Sequence, residues 1–518
     1  MVVEYDIGAL KGDLRRALTY DNALISFVAG LATWFLYKIF FAPLHDIPGP
    51  FITRFTKFWF FHRVLYGSKL NWDTLRLHQK YGKVVRLGPN HVSISDDADV
   101  QSVYGGHPAF PKSKWYDAFL PPNGANNLFT DRNNERHAQL RRQYSNMYSM
   151  TTAVVSYDHF INECVDAYSQ RMREMGDKQF DLTWWSYCYA ADTVSKVLFS
   201  KRFGYMDNGE DIGGHSKWVY KNMVYGTYVG IVDGLNFKVW KAMELLGRIG
   251  IKIPHPPAFL MDFTFGAIHK RREERKAGHH KSPDANGSID LMDKMINAHE
   301  NDPKTFPETN IFSGLVIGVV AGADTTSTSI TATLYYLLKN PAAMARLRAE
   351  LSTLSRPADS THFAFKDVQA LPFLEAVIRE GMRLCPGGAN SFEREVPAGG
   401  LRLVSGQFLP AGTVIGVNAL ISQYSEDAFG PDAATFRPER WLDADKDQLA
   451  QMNRHWVGFG LGARNCLGRH VATLAMKKWF SELLTRFEFE LVDKDQKLDM
   501  KCYTVVYIDE IPVIVKEL

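Results

Sequence analysis

Cys466 has the most chemically constrained surroundings in this sequence. It sits in FGLGARNCLG, Phe459 to Gly468, just ahead of a helical pattern. A metal-binding cysteine must be a thiolate, and a buried thiolate needs stabilisation. Free backbone N–H groups and the dipole at a helix start can supply it. Gly460, Gly462 and Gly468 carry no side chain, so the backbone can wrap the sulfur and a flat ligand can approach. Arg464, two residues away, is placed to bind an anion. Together these describe a large metal-bearing ligand held by one axial thiolate. Zinc or an iron–sulfur cluster would need several more cysteines. The other four, Cys164, Cys188, Cys385 and Cys502, are widely spaced, with no CxxC pair, and read as small buried residues. A dinucleotide loop is the rival reading, since Gly458-Phe459-Gly460 opens like GxGxxG. That pattern needs glycine where Ala463 stands, and a preceding strand.

The second cluster is AGADTT, Ala321 to Thr326, inside a long apolar helical run. A buried carboxylate is expensive, so Asp-Thr-Thr at the centre of a core helix needs a reason. The structural reason would be a polar kink, with the Thr325 hydroxyl bonded to the Ala321 carbonyl one turn back. The functional reason would be a proton path: Gly322 opens the helix surface beside a flat cofactor, Thr325 offers a hydroxyl and Asp324 a proton. Glu380 and Arg383 in EGMR lie at i, i+3 on one helix face, with Arg440 in FRPERW downstream. His137 and Arg141 in ERHAQLRR lie at i, i+4 on one helix, and Arg394 follows in FEREVPAGG.

These segments, in this order, resemble the cytochrome P450 monooxygenases. FGLGARNCLG fills every signature position of that family's haem loop: Phe459, Gly462, Arg464, Cys466 and Gly468. The resemblance implies a mostly α fold with minor β sheets, haem b (iron protoporphyrin IX) as cofactor, and Cys466 as axial ligand of the iron. It implies that Thr325 and Asp324 guide protons during heterolytic O–O cleavage. It implies that Glu380, Arg383 and Arg440 form a structural triad locking the segment that leads to the cysteine loop. His137, Arg141 and Arg394 would meet the haem propionates; His137 stands where the family commonly has Trp, a departure. NLFTDRNNERHAQLRR looks most like filamentous-fungal members that tailor secondary metabolites.

The elements that must position these residues are legible in outline. Helical patterns cover Asn71 to Tyr81, Arg132 to Met150, Thr151 to Gly176, a segment opened by Asn340-Pro341, the FLEAVIREGMRLCP segment, and about Leu467 to Phe487. Lys83 to Ser95 reads as two strands around a Gly-Pro-Asn turn, and Pro397 to Asn418 is also β-like. The charge run HKRREERKAG reads as a solvated face, and HHKSPDANGS, with His279 and His280, as a surface loop.

The chain has 518 residues, 46% hydrophobic and 23% charged, enough for a large core. No long linker or fixed-period repeat divides it. A net charge of +3 gives no argument for nucleic acid. The expected organisation is a polar segment (1–22), a transmembrane anchor (23–42), a proline-rich hinge (43–51) and one catalytic domain (52–518). ALISFVAGLATWFLYKIFFA, Ala23 to Ala42, carries one charge, Lys38, and is long enough to span a bilayer. No small-x-small cleavage site follows it, so it reads as retained. Flanking charge leaves topology open; unpaired cysteines place the large part in the cytosol, and the family places the anchor in the endoplasmic reticulum membrane.

The family's pocket would fall at Phe110–Asn127, Ile317–Thr325, Gly387–Phe392 and Tyr503–Val506, with Trp115, Phe119 and Phe392 as walls and Val219–Lys252 as an entrance lid on the membrane. These stretches are largely apolar, so the expected substrate is a lipophilic small molecule. No flavin or nicotinamide domain is evident, which implies NADPH-cytochrome P450 reductase as electron donor, with cytochrome b5 as a second candidate. Arg142, Lys477 and Lys478 would offer it a basic surface. Two alternatives remain at the level of sequence: the same fold as an O2-independent isomerase or dehydratase, and a non-catalytic haem binder. The Asp324-Thr325 pair argues against both.

Overall fold

A computed structural model of the chain describes residues 20–518 except 68, 107–108, 122–123, 252–257, 279–288 and 389–390. The His279–His280 loop, most of the polar segment 1–22, Pro122, Asn123, Ala389 and Asn390 of the expected pocket, and Lys252 of the expected lid lie outside the described residues.

Helix α1 (Tyr20–Phe40) is apolar all round; its window Asn22–Phe40 has a mean hydropathy of 1.7 and no buried residue. It ends two residues before the expected Ala42. There the Phe41 and Ala42 N–H groups both donate to the Tyr37 carbonyl, and Ala42 and Leu44 are buried against the body. Helix α1 meets the chain that follows it through aromatic contacts: Phe35 stacks on Phe55 at 4.5 Å, and Trp34 lies 5.6 Å from the same ring. Arg54 donates to the His45 carbonyl at 2.7 Å.

Strands β1 (Val84–Gly88) and β2 (His91–Ile94) form the expected hairpin. Both are buried along their whole length, which fits a sheet covered on two faces. The helices α2 (Asn134–Ser145), α3 (Met150–Met175), α4 (Leu182–Phe199), α5 (His215–Val229) and α6 (Leu235–Arg248) follow. The pattern read as one helix over Arg132–Met150 stops at Ser145, passes through a 3-10 turn at Asn146–Tyr148, and restarts where the Ser149 hydroxyl caps α3.

Helix α7 (Glu308–Leu338) is long and apolar enough to cross a membrane, but half of it is buried inside the protein, where it packs along α4. It is the core helix that carries Asp324 and Thr325. Helix α8 (Pro372–Leu384) carries Glu380 and Arg383. Strands β3 (Arg394–Glu395) and β4 (Val414–Gly416) complete a four-stranded sheet of order β1-β2-β4-β3, in which β2 and β4 run parallel. Helix α9 (Arg469–Leu484) follows the cysteine loop, and the hairpin of β5 (Met500–Cys502) and β6 (Val506–Ile508) lies against α7. The largest core joins α3, α4, α7, α8 and α9.

Two expected surface charges are not surface charges. Lys477 and Lys478 are buried on α9, held by Glu375 at 2.8 Å and by the Phe363 carbonyl at 2.6 Å. Long stems let both be absorbed where α9 is covered by its neighbours; Arg142 is exposed as expected. In the charge run, Arg271 and Arg275 turn inward onto buried Asp290 and Asp293, so that face is only partly solvated.

Candidate active site

The glycine loop closes on itself. The Cys466 N–H donates to the Phe459 carbonyl at 2.7 Å, and the Gly460 N–H to the Val457 carbonyl at 2.8 Å. Gly462 has φ +59°, and a Cβ there would lie 2.1 Å from the Tyr104 carbonyl oxygen. Gly460 has φ +76°. Both positions need glycine for backbone reasons. Gly468 does not: a Cβ there would meet Cys466 Sγ at an ordinary 4.0 Å. Phe459 turns its ring onto Trp456, 5.7 Å away.

Cys466 is accessible, whereas Cys164, Cys188, Cys385 and Cys502 are buried. Protein nevertheless surrounds the Cys466 thiol closely enough that burial pushes its pKa up. The two facts agree if the accessible face opens on an interior space. The N–H groups of Gly468 and Arg469 and the guanidinium groups of Arg141 and Arg469 pull the other way. The helix-start stabilisation expected from the sequence is therefore present but outweighed by burial in the protein alone. A bound metal cation would reverse that balance.

Around this loop gathers a set of cations. Arg141, from α2, donates to the Asn465 carbonyl at 2.7 Å; Arg464 donates to Asn134 Oδ1 at 2.7 Å. Arg394, buried on β3, donates to the Phe392 and Glu393 carbonyls at 3.1 and 2.9 Å. His137 is buried one turn before Arg141, and its pKa is lowered to about 3 by burial and then by Arg464, Lys112, Arg141 and Arg394. Lys112, which the sequence gave no reason to single out, belongs to the same group. Burial and the neighbouring Arg394 and Arg464 hold its pKa well below the ordinary lysine value. Burial and Arg394 likewise lower the Arg464 pKa to about 10.

Among the described residues none of Lys112, Arg141, Arg394 and Arg464 pairs with a carboxylate. Asp131, the nearest candidate, is taken up by Arg136, 2.8 Å from Oδ1. Buried cations without partners are costly, so this arrangement fits a ligand bearing carboxylates of its own. An accessible cysteine in a glycine-rich loop with such a cluster beside it fits haem, whose propionates would be met by these residues.

Helix α7 carries the second cluster. Around its middle Ala323, Asp324 and residues 326–330 are buried, Ala321 is exposed, and Ile317, Gly318, Val320, Gly322 and Thr325 are half-buried. The Thr325 hydroxyl donates to the Ala321 carbonyl at 2.8 Å, as the structural reading of that residue required. Gly322 does not open a surface for the cofactor: a Cβ there would meet Val194 of α4 at 2.7 Å. Its role is the close crossing of α7 and α4. Asp324, one residue from Thr325, lies about 100° round the helix and is buried on another side. Its Oδ2 accepts from the Tyr507 hydroxyl at 2.8 Å. Burial raises its pKa to about 7, and the Tyr507 hydrogen bond lowers it.

Glu380, Arg383 and Arg440 are all buried and joined. Arg383 donates to both Glu380 oxygens at 2.8 and 2.9 Å, and Arg440 donates to Oε1 at 2.9 Å. Trp441 donates to Oε2 at 2.9 Å, a member that spacing could not reveal. Gln423 carries the network onward: it donates to the Arg383 carbonyl at 2.8 Å and accepts from the Val457 N–H at 2.9 Å, two residues before Phe459.

The expected pocket segments converge in part. Val506 N–H donates to the Gly387 carbonyl at 3.1 Å, and Gly387 packs on Thr325. Phe119, Val320 and Tyr507 pack on one apolar cluster with Val219, Met223 and Val505. Trp115 and Phe119 press on α5, where a Cβ at Gly230 or Gly226 would lie 2.5 or 2.2 Å from their rings. Phe392 is elsewhere, near Gly460.

The cytochrome P450 family model matches residues 50–516. The chain is 30% identical over 485 residues to "Cytochrome P450 monooxygenase cfoH" of Aspergillus candidus, covering 90% of this chain and 87% of that one. It is 30% identical over 509 residues to "Pisatin demethylase" of Fusarium vanettenii, covering 96% and 94%. It is also 30% identical over 475 residues to "Cytochrome P450 monooxygenase mpaDE'" of Penicillium brevicompactum, covering 87% of this chain and 53% of that one. With the family matched over the whole folded body and the thiolate loop in place, the chain belongs to the cytochrome P450 family and is a haem-thiolate monooxygenase.

Proposed function

We propose that this chain is a membrane-anchored monooxygenase that hydroxylates, epoxidises or further oxidises a lipophilic small molecule, an intermediate of secondary metabolism. The observation that carries this is the accessible Cys466 set among buried and half-buried cations that pair with no carboxylate among the described residues. Haem b fits there: Cys466 would hold its iron, and Arg141, His137, Arg394, Arg464 and Lys112 would meet its propionates. The haem supplies dioxygen binding and activation. The chain's own residues do the rest. Gly460 and Gly462 let the loop turn under the cofactor, Phe459 anchors it to the core, and Thr325 and Asp324 hold protons on α7. The apolar residues Phe119, Val320 and Val505 favour a lipophilic substrate and exclude water.

Residues 23–42 act as a single-pass anchor in the endoplasmic reticulum, residues 43–51 as hinge and 52–518 as a cytosolic catalytic domain. The donor is NADPH-cytochrome P450 reductase, with cytochrome b5 as a second partner. After the correction at Lys477 and Lys478, Arg142 is the exposed basic residue left of the three for a reductase to meet.

The test is the reduced, carbon-monoxide-bound absorption spectrum of the purified protein beside Cys466→Ala. A red-shifted thiolate-type Soret band, lost in the variant, is the expected result. The same band in the variant would remove Cys466 from its assigned role.

A further inference from the structure

A cavity of about 290 Å³ lies on the side of α7 that carries Asp324. Its outer end is lined by the exposed Lys217, Tyr220 and Lys221 of α5, and its inner end by the buried Asp324, Ser327 and Thr328. It therefore reaches from the surface to a carboxyl group that the core helix otherwise buries. Asp324 meets it with one oxygen engaged and one free. Oδ2 accepts from Tyr507 at 2.8 Å, and among the described residues Oδ1 accepts no hydrogen bond.

Tyr507 is itself held from two sides. Its ring lies edge-on to Tyr220 of α5, with centroids 4.8 Å apart. Its hairpin is tied to α7 where the Thr328 hydroxyl donates to the Val506 carbonyl at 2.8 Å, and to α5 where Thr227 and Thr504 hydroxyls meet at 3.0 Å. The hairpin thus bridges a surface helix and the core helix, and its one contact with the acid is a phenol.

We propose that Tyr507 is a positioning residue for Asp324, holding the carboxyl at the inner end of this cavity so that protons from solvent reach α7 through it. This rests on the reading of Asp324 as the proton source given above. The group works by exchange: Asp324 gives a proton inward and regains one from water in the cavity, with no net change in the protein. A neutral phenol that donates to the carboxylate favours its charged form, so it keeps an otherwise overly basic buried acid able to release its proton near neutral pH. The groups facing Asp324 are few: Tyr507 from the hairpin, Tyr187 from α4, Lys217, Tyr220 and Lys221 from α5, and Asp181 across the cavity. Asp181 is occupied by the Ile511, Thr183 and Trp184 N–H groups, which leaves Tyr507 as the direct partner.

The experiment uses the full-length haem-loaded chain and two readouts. Infrared difference spectra against Asp324→Asn follow the protonation of the Asp324 carboxyl with pH. Peroxide formed per NADPH consumed is measured with reductase and no added substrate. Tyr507→Phe should move the Asp324 titration upward by about one pH unit, the size of one lost hydrogen bond to a charged group. It should also raise the peroxide share at neutral pH, the increase following the shifted titration. Tyr220→Leu, which loosens Tyr507 without removing its hydroxyl, should move both in the same direction by less; a shift in Tyr507→Phe alone already carries the proposal. An unmoved Asp324 titration in Tyr507→Phe overturns it, whatever the peroxide share does. If Asp324→Asn itself leaves the peroxide share unchanged, the reading of Asp324 as proton source fails first, and this inference with it.

Discussion

Arg464 illustrates what the site demands of single residues. It is half-buried among other cations, and its bonds go to an asparagine and a backbone carbonyl. Asp131 attracts its charge without a side-chain contact, so a ligand carboxylate would add the direct pairing that Arg464 lacks. Arg464→Leu should keep the fold, since an unpaired half-buried cation is lost, but weaken haem retention about tenfold, the cost of a charge-assisted hydrogen bond. Haem per protein after gel filtration measures this; full retention would remove Arg464 from the cofactor site. Thr325 makes the opposite case. Its hydroxyl already has a partner in the Ala321 carbonyl, so Thr325→Ala should change the melting temperature little. It should instead raise peroxide release per NADPH, and unchanged release would leave Thr325 only its helix-kinking bond. Lys112 and Tyr507 were not legible at this scale. They lie far in sequence from the motifs they serve, and nothing about a lone lysine or tyrosine marks it.

At the scale of elements, Glu380 joins α8 to the segment before the cysteine loop. It accepts from Arg383, Arg440, Trp441 and the Arg437 N–H, all inside the protein. Removing it leaves the Arg383 guanidinium buried without a carboxylate and Arg440 with Asp432 alone, 3.1 Å away. Glu380→Ala should therefore cost about 3–5 kcal/mol and yield protein that neither binds haem nor unfolds cooperatively. Haem content and a thermal melt report both, and a haem-loaded, stable variant would contradict the network's role. The glycines of the loop act at the same scale. Gly462→Ala meets the Tyr104 carbonyl and a left-handed φ, so the loop must shift. A cost of about 1–3 kcal/mol and a perturbed Soret band are expected.

At the scale of the whole molecule, exposed apolar residues cluster in the segments after the N-terminal helix and around α6. Helix α1 leaves the body at an aromatic joint with Phe51 and Phe55, and Phe51 is exposed. The next helix, Phe58–Gly67, reaches α5: Phe61 lies 6.1 Å from Tyr228, and Lys57 donates to the Ile231 carbonyl at 2.8 Å. Beyond it, α6 and the turn that follows expose Leu245 and Ile249 at 62% and 68%. Surfaces of this kind suit membrane contact beside the anchor proposed above. A chain lacking residues 1–40 should still float with phospholipid vesicles, less completely than the full chain, and lose that binding in Leu245→Ser/Ile249→Ser. A truncated chain that never floats would confine membrane contact to α1.

The sequence by itself determined the chemistry and most of the elements. A thiolate loop needs glycine and a following helix, and these are local requirements that leave local signatures. Glu380 and Arg383, one helical turn apart, are legible for the same reason, as are α1, the β1–β2 hairpin and the helix start at Asn340-Pro341. Only the tertiary structure decided which charges are buried and what each polar group faces. Lys477 and Lys478 look like surface charge until α9 is packed. Gly322 looks like an opening beside a cofactor until α4 crosses it. Asp324 and Thr325 are neighbours in the chain yet serve different sides of α7. Burial and direction depend on elements brought together from distant parts of the chain, and no window of sequence contains them.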